Sequence, residues 1–344
     1  MAENHRPRGL LILHCPVIKR VSVLIVTGAT GLLGNTLVRR ALGRGLQATA
    51  LLRDKSATRP LDGLAVRIIR ADLAGDALEP LVAGARCVIH AGARVAIGRR
   101  DLEAFRVDNV VPTARLAAAC RAAGVRLVFV STVDTLAWGS RAAPGDETRS
   151  SGREPATAYS ISKREAEDAV LAEVALGLDA VIVHPGFLLG PWDWKPSSGR
   201  LILEVARAPF ALAPPGGNDF CHAADVADGV LAAAERAVSG SRYVLSGEAL
   251  SYAEAFRLIR RAAGRTPRIA TAPAWLVAAA GRAGDLIGAV SGREPALNSA
   301  SAAIVALPHH LSSALAARDL GYRPRPAEIA MRDAWTWFTG HGYA

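Results

Sequence analysis

Tyr159 and Lys163 are separated by Ser160, Ile161 and Ser162, a spacing that places both side chains on one face of a helix. An ammonium beside a phenol favours the phenolate and draws a tyrosine pKa from about 10 toward neutrality, which makes a usable general acid or base. Interconversion of a carbonyl and an alcohol needs such a group. Only 4 of the 41 basic residues are lysine and the 344 residues include 5 tyrosines, so chance gives a pair at this spacing about once in sixteen chains. A solvated helix on which Lys163 merely faces Glu167 is the plain alternative. The surrounding elements must decide between them.

From Val21 onward, short β-branched runs alternate with longer alanine-rich stretches of helical period, the pattern of βαβ units. Strands are expected at Val21–Val26, Gln47–Leu52, Val66–Arg70, Cys87–His90, Leu127–Val130 and Ala180–Val183, with helices beginning near Leu32, Asp101 and Ala158. The chain is therefore α/β, and residues 21–185 read as a doubly wound parallel sheet, a Rossmann fold that binds a dinucleotide. A return segment at 218–250 adds a strand at Arg242–Leu245. Pro112 should kink or divide the helical stretch Asp101–Ala123. Residues 186–217 and 251–344 are richer in Pro, Gly and short amphipathic helices and read as a smaller, mostly helical substrate-binding lobe.

Gly28, Gly31 and Gly34 follow the first strand and open a helix. There glycines let backbone amides approach a pyrophosphate, and the helix N-terminus adds partial positive charge. Arg53 and Lys55 follow the second strand, where the adenosine ribose should lie; an arginine there accommodates a 2′-phosphate, so NADP(H) is favoured over NAD(H). Asp54 between them would suit a free hydroxyl if the register moved by one residue.

Composition narrows the classes further. The net charge is +10, but arginines scattered among alanines form no basic block, which argues against nucleic acid as a partner. Four cysteines without metal-ligand spacing imply no metal site and fit reduced thiols in a cytoplasm. Residues 1–20 read as an N-terminal extension, disordered or loosely docked. Their apolar stretch Leu10–Ile18 is broken by His14 and Pro16 and makes a poor signal peptide. The apolar segment Pro273–Val290 is interrupted by Arg282 and Asp285 and is expected to be an amphipathic helix, not a membrane span.

Taken in order, Thr27-Gly28-Ala29-Thr30-Gly31-Leu32-Leu33-Gly34, Asp72-Leu73, His90-Ala91-Gly92-Ala93, Asn109, Ser131-Thr132, Tyr159 with Lys163 and His184-Pro185-Gly186 resemble an extended short-chain dehydrogenase/reductase. The likeness runs from about Val21 to the C-terminus. It is strongest to the dihydroflavonol-4-reductase-like branch, which is itself similar to the NAD-dependent epimerases/dehydratases. The resemblance implies that Gly28, Thr30, Gly31, Leu32, Leu33 and Gly34 hold the cofactor phosphates and that Asp72 and Leu73 flank the adenine. It further puts Ala91, Gly92, Ala93, Asn109, Ser131, Pro185, Gly186 and Phe187 along the cofactor, with Lys163 also on the nicotinamide ribose. Thr132, Tyr159 and Lys163 would form the catalytic trio, Thr132 orienting the substrate oxygen with Ser131 as second choice. A homodimer through helices near Asp101–Ala123 and Ala158–Leu176 is implied on the same basis.

Departures from the family pattern bear on the substrate. Epimerases carry an arginine that clamps the nucleotide diphosphate before the Asp-aromatic pair, where this chain has Asn218 before Asp219-Phe220. Dehydratases place Asp-Glu after the threonine, where this chain has Val133-Asp134. Many relatives have arginine where His184 stands. Trp138, Trp192, Trp194 and Phe220 are expected in loops at the carboxyl edge, walling a flat or apolar substrate. A small-molecule ketone or alcohol is the leading expectation; epimerase/dehydratase chemistry and a non-catalytic NADP(H)-binding protein remain open beside it.

Overall fold

Strands buried on both faces of a parallel sheet are apolar at nearly every position, and the β-branched runs in the first half of the chain build such a sheet. The structure is a computed structural model that describes residues 23–96, 98, 101–148, 155–292 and 295–344. The expected N-terminal extension and the first two residues of the strand drawn from Val21 lie outside the described residues.

In chain order the first half contains β1 (Val23–Thr27), α1 (Leu32–Gly43), β2 (Gln47–Leu52), β3 (Arg67–Arg70), α2 (Glu79–Val82), β4 (Cys87–His90), α3 (Leu102–Phe105), a π-helical turn (Arg106–Val110), α4 (Val111–Ala122), β5 (Arg126–Val130), α5 (Ala158–Ala175) and β6 (Ala180–Pro185). The second half adds β7 (Phe187–Leu189), α6 (Arg200–Arg207), β8 (Ala211–Ala213), β9 (Gly217–His222), α7 (Ala223–Arg236), β10 (Arg242–Leu245), β11 (Glu248–Ser251) and α8 (Tyr252–Ala262). It closes with β12 (Ile269–Thr271), α9 (Ala274–Ser291), α10 (Ser299–Val305), α11 (Ala314–Leu320) and α12 (Ala327–Gly340).

Seven parallel strands in the order β10-β6-β5-β4-β1-β2-β3 form the main sheet. Alternate residues feed opposite faces: Leu24 and Val26 of β1 join the core under α1 and α7, while Ile25 joins the core under α4 and α5. The same division separates Val128 and Val130 from Leu127 and Phe129 on β5. Strand order reverses between β1 and β4, and doubly wound sheets take ligands at the carboxyl ends beside that switch. Register pairs Thr27 with His90 and His90 with Phe129, so the loops bearing Gly28, Ala91 and Thr132 leave from one edge.

Pro112 lies in the first turn of α4, and the π-helical turn Arg106–Val110 runs into α4 directly before it, so the stretch is distorted there without being broken. The lobe beyond Pro185 contains more strand than its helical patterning implies. The stretch 217–222 does not join the main sheet but pairs with β7 and β11, while β8 pairs with β12. Strands of three or four residues are too short to carry a readable period. Among the described residues no helix is long and apolar enough to cross a membrane.

Candidate active site

The glycine turn after β1 is shaped by contacts that exclude side chains. Gly28 has φ +69°, and a Cβ on it would lie 2.6 Å from the Gly92 nitrogen. A Cβ on Gly34 would lie 2.1 Å from the Gly28 carbonyl oxygen. Gly31 differs: it is exposed, begins α1 without a side-chain cap or an acid in the first turn, and a Cβ there would meet only Gly28 O at 3.5 Å. Leu32 and Leu33 bury their side chains and leave first-turn amides facing the opening, with half-buried Thr30 beside them. That open, uncapped N-terminus fits a pyrophosphate.

Beneath it runs a polar chain that the sequence did not reveal. The Thr27 hydroxyl lies 2.6 Å from His90 Nδ1, and His90 Nε2 lies 3.1 Å from the Thr113 hydroxyl. Burial, with Lys163 nearby, pushes the His90 imidazole down to about 3, so it stays neutral and ties the β1 turn to the loop after β4. Gly92 N–H also donates to the Thr27 hydroxyl at 3.3 Å; Ala91 is half-buried and Ala93 exposed.

At the far end, Arg53, Asp54 and Lys55 are exposed directly after β2. Arg70 of β3 shapes this segment by donating to the carbonyls of Arg53 (3.0 Å), Asp54 and Ser56 (3.3 Å). Asp72 is exposed and accepts the Ala74 N–H at 3.0 Å, a local turn of its own. Leu73 is half-buried against the core beneath.

The proposed trio converges at the start of α5. Thr157 caps this helix, its hydroxyl accepting from Ser160 N–H at 3.0 Å while Ser160 returns a bond to Thr157 N–H, a capping box that fixes where Tyr159 sits. The phenol is half-buried near the Thr132 hydroxyl, which accepts from Asp134 N–H at 3.2 Å. Lys163 is buried; it donates to the Val130 carbonyl at 2.7 Å and rests 4.0 Å from the centroid of the Phe129 ring.

This corrects the electrostatics expected from spacing. Tyr159 is held above its ordinary value, first by burial and then by Asp134 and Glu167, against the Thr132 hydrogen bond. Lys163 does not offset this; burial pushes the ammonium itself down to about 7, with Glu167 opposing. Burial also raises Asp134 to about 6 against its bond from Thr132. The phenol is therefore protonated at neutral pH and holds its proton more tightly than a free tyrosine.

Ser131 is buried behind Thr132. Its hydroxyl donates to buried Glu167, which also accepts from Thr135 (2.7 Å) and Arg242 (2.8 Å) and lies 3.2 Å from His184 Nε2. His184 together with Arg242, one strand over on β10, meets this carboxylate, so the site keeps a guanidinium although residue 184 is histidine. Despite burial, His184 and the two hydroxyls hold Glu167 down to about 2. Thr135 in turn donates to the Thr132 carbonyl at 2.9 Å, so Glu167 anchors the loop that presents Thr132. Asn109 likewise acts through the loop after β4: its side chain accepts from Arg94 N–H and donates to the Arg94 carbonyl and the Ser162 hydroxyl. These three bonds leave its amide committed within the protein.

The four aromatic residues do not make one wall. Phe220 lies in β9, not in a loop, and is fully buried; its ring meets half-buried Phe187 edge-on at 5.3 Å. Trp192 and Trp194 pack on Trp337 of α12, under the guanidinium groups of Arg39 (3.5 Å) and Arg59 (5.3 Å). Trp138 stacks on His309 at 3.6 Å between ring centroids. Indoles are large enough that lobe packing claims them. Gly186 is needed where β6 passes β9, since a Cβ would lie 2.7 Å from the Asp219 carbonyl oxygen; Pro185 before it is buried at the end of β6. Asn218 is buried, 3.5 Å from the Tyr252 hydroxyl, so no cation occupies that position.

Residues 24–246 match the model of the NAD dependent epimerase/dehydratase family. The chain is 33% identical over 327 residues to the sterol demethylase protein B of Methylococcus capsulatus, covering 92% of this chain and 98% of that protein. It is 30% identical over 333 residues to a putative dihydroflavonol 4-reductase of Synechocystis, covering 95% and 97%. The crystal structure of gox2253 superposes with a TM-score of 0.82 at 31% identity, covering 94% of this chain and 99% of that one.

Proposed function

Since the chain belongs to the NAD dependent epimerase/dehydratase family, we propose that it is an NAD(P)-dependent oxidoreductase that interconverts a ketone and a secondary alcohol on an apolar or aromatic small molecule. The observation that carries this reading is the placement of the Tyr159 phenol near the Thr132 hydroxyl after β5, with Lys163 buried one helical turn further along α5. Relatives named for reductase and sterol chemistry support it. The buried Asn218 amide in place of a diphosphate-clamping arginine weighs against a nucleotide-sugar substrate.

In this reading the amides of Gly31, Leu32 and Leu33 would hold the cofactor phosphates, with Gly28, Thr30 and Gly34 shaping the turn. Arg53 and Lys55 face the adenosine ribose and favour NADP(H), Asp72 and Leu73 border the adenine, and Ala91–Ala93 with Pro185, Gly186 and Phe187 line the remainder. A bound nicotinamide supplies or accepts the hydride. Tyr159 gives its proton to the carbonyl oxygen, the Thr132 hydroxyl orients that oxygen, and Lys163 balances the phenolate left behind. Residues 186–217 and 251–344 would hold the substrate. Exposed Val107 and Val111 support a homodimer through the π-helical turn and α4. Buried free Cys87, Cys120 and Cys221 support a reducing, cytoplasmic setting.

The test pairs thermal shifts by NADPH and NADH with a panel of carbonyl substrates followed at the nicotinamide absorbance. Greater stabilisation by NADH would overturn the role given to Arg53. Tyr159→Phe should keep cofactor affinity and lower turnover by about 10²–10⁴-fold; full activity would remove Tyr159 from the mechanism. Product formation without net cofactor oxidation would indicate an epimerase or dehydratase instead, with Asp134 as the remaining acid.

A further inference from the structure

Helix α9 lays its smallest residues on the protein. Gly281, Gly284 and Gly288 are its buried positions. A Cβ on Gly281 would lie 2.7 Å from Ala302 Cβ of α10, and one on Gly284 would lie 1.9 Å from the Leu297 carbonyl oxygen. Seating the helix on its glycines sends its large side chains outward: Trp275 is 71% exposed, Leu286 67%, Ile287 60% and Val290 86%. The β8–β12 ribbon that leads into α9 adds exposed Phe210 and Leu212. An apolar face of this extent on a soluble lobe marks an interaction surface.

The charges nearby have one sign. From residue 261 to 292 the chain carries exposed Arg261, Arg265, Arg268 and Arg282 against the single acid Asp285, whose carboxylate accepts the Ser299 N–H at 3.1 Å. An apolar helix bearing Arg282 and preceded along the chain by exposed Arg261, Arg265 and Arg268, with a tryptophan near its end, matches a helix lying in the plane of a bilayer interface, apolar face down and cations among the headgroups. A twofold pairing of this face with a second copy would set arginines against arginines with Asp285 alone among the described residues of α9 to pair them.

We propose that α9 with the β8–β12 ribbon docks the protein on an anionic lipid surface. The inference does not rest on the reductase reading, although a lobe seated on lipid could draw an apolar substrate from it. Among the described residues no helix is long and apolar enough to cross the bilayer; α9 is about 27 Å long and would lie flat.

Full-length protein is sedimented with vesicles of phosphatidylcholine alone and of phosphatidylcholine containing a third phosphatidylglycerol. The expected result is pelleting with the anionic vesicles, weakened by high salt and slight with the neutral ones. Leu286→Ser combined with Val290→Ser should abolish pelleting while leaving the thermal transition unchanged. Arg265→Glu and Arg268→Glu should each weaken binding about fivefold or more. Wild-type protein that stays in the supernatant with both vesicles overturns the proposal, as does a serine variant that pellets like wild type. If wild type ignores vesicles but elutes as an oligomer that the serine variant dissociates, the face is a self-association surface and the lipid reading is wrong.

Discussion

Replacing Lys163 by methionine should make the protein more stable while removing its activity. The side chain is 2% exposed, and burial holds its pKa down from 10.5 to about 7. A displacement of that size corresponds to about 5 kcal/mol of penalty on the charged form. Methionine fills most of the same space but forfeits the hydrogen bond to the Val130 carbonyl, a loss of about 1–2 kcal/mol, leaving a net gain of about 3 kcal/mol. The gain must depend on pH. Because the folded protein binds this proton less firmly than the unfolded chain, the penalty is complete below about pH 7 and fades as pH climbs toward 10.5. Urea unfolding of nucleotide-free protein should therefore place Lys163→Met above wild type at about pH 6, and level with it or below at about pH 10. A variant less stable than wild type at the lower pH, or an offset that ignores pH, would refute the idea that the site stores a strained ammonium for its chemistry.

Glu167→Gln keeps the shape of the anchor and removes its charge, leaving half-buried Arg242 facing a neutral amide; about 1–3 kcal/mol should be lost in denaturant unfolding. Its folded pKa lies near 2, below 4.5 for the unfolded chain, so the carboxylate stabilises wild type above about pH 4.5 and loses that contribution as pH falls toward 2. The variant's stability should be flatter across that window, and kcat should fall more than KM rises as the Thr132 loop loosens. Gly34→Ala, whose Cβ would meet Gly28 O at 2.1 Å, should lower the melting temperature sharply; Gly31→Ala, with open space, should melt like wild type yet bind nucleotide less tightly in a titration. Asp134→Asn removes a charge that raises Tyr159, so the alkaline limb of the pH–rate profile for carbonyl reduction should move to lower pH.

The main sheet was legible because its strands obey a simple rule: both faces are covered, so β-branched runs mark them, and Gln47–Leu52, Cys87–His90 and Arg242–Leu245 occur with the expected bounds. Gly28 and Gly34 of the turn were legible because close backbone contact leaves room for no other residue at either position. The small sheets of the second lobe were not, since β7, β8 and β12 have three residues each. The aromatic residues misled because an indole in a Pro- and Gly-rich segment has the same composition whether it faces a ligand or, like Trp194, a tryptophan on α12.

By itself the sequence determined which groups exist and how far apart they stand along the chain: a phenol and an amine one helical turn apart, a hydroxyl at the end of a strand, and glycines where a strand becomes a helix. Tertiary structure alone decided the charge each group carries and which hydroxyl reaches the phenol. Those properties depend on burial and on partners distant in sequence. Val130 and Phe129 take the Lys163 ammonium, Glu167 withdraws Ser131 and leaves Thr132 to Tyr159, and Arg242 meets the same carboxylate from a strand that returns to the sheet late in the chain.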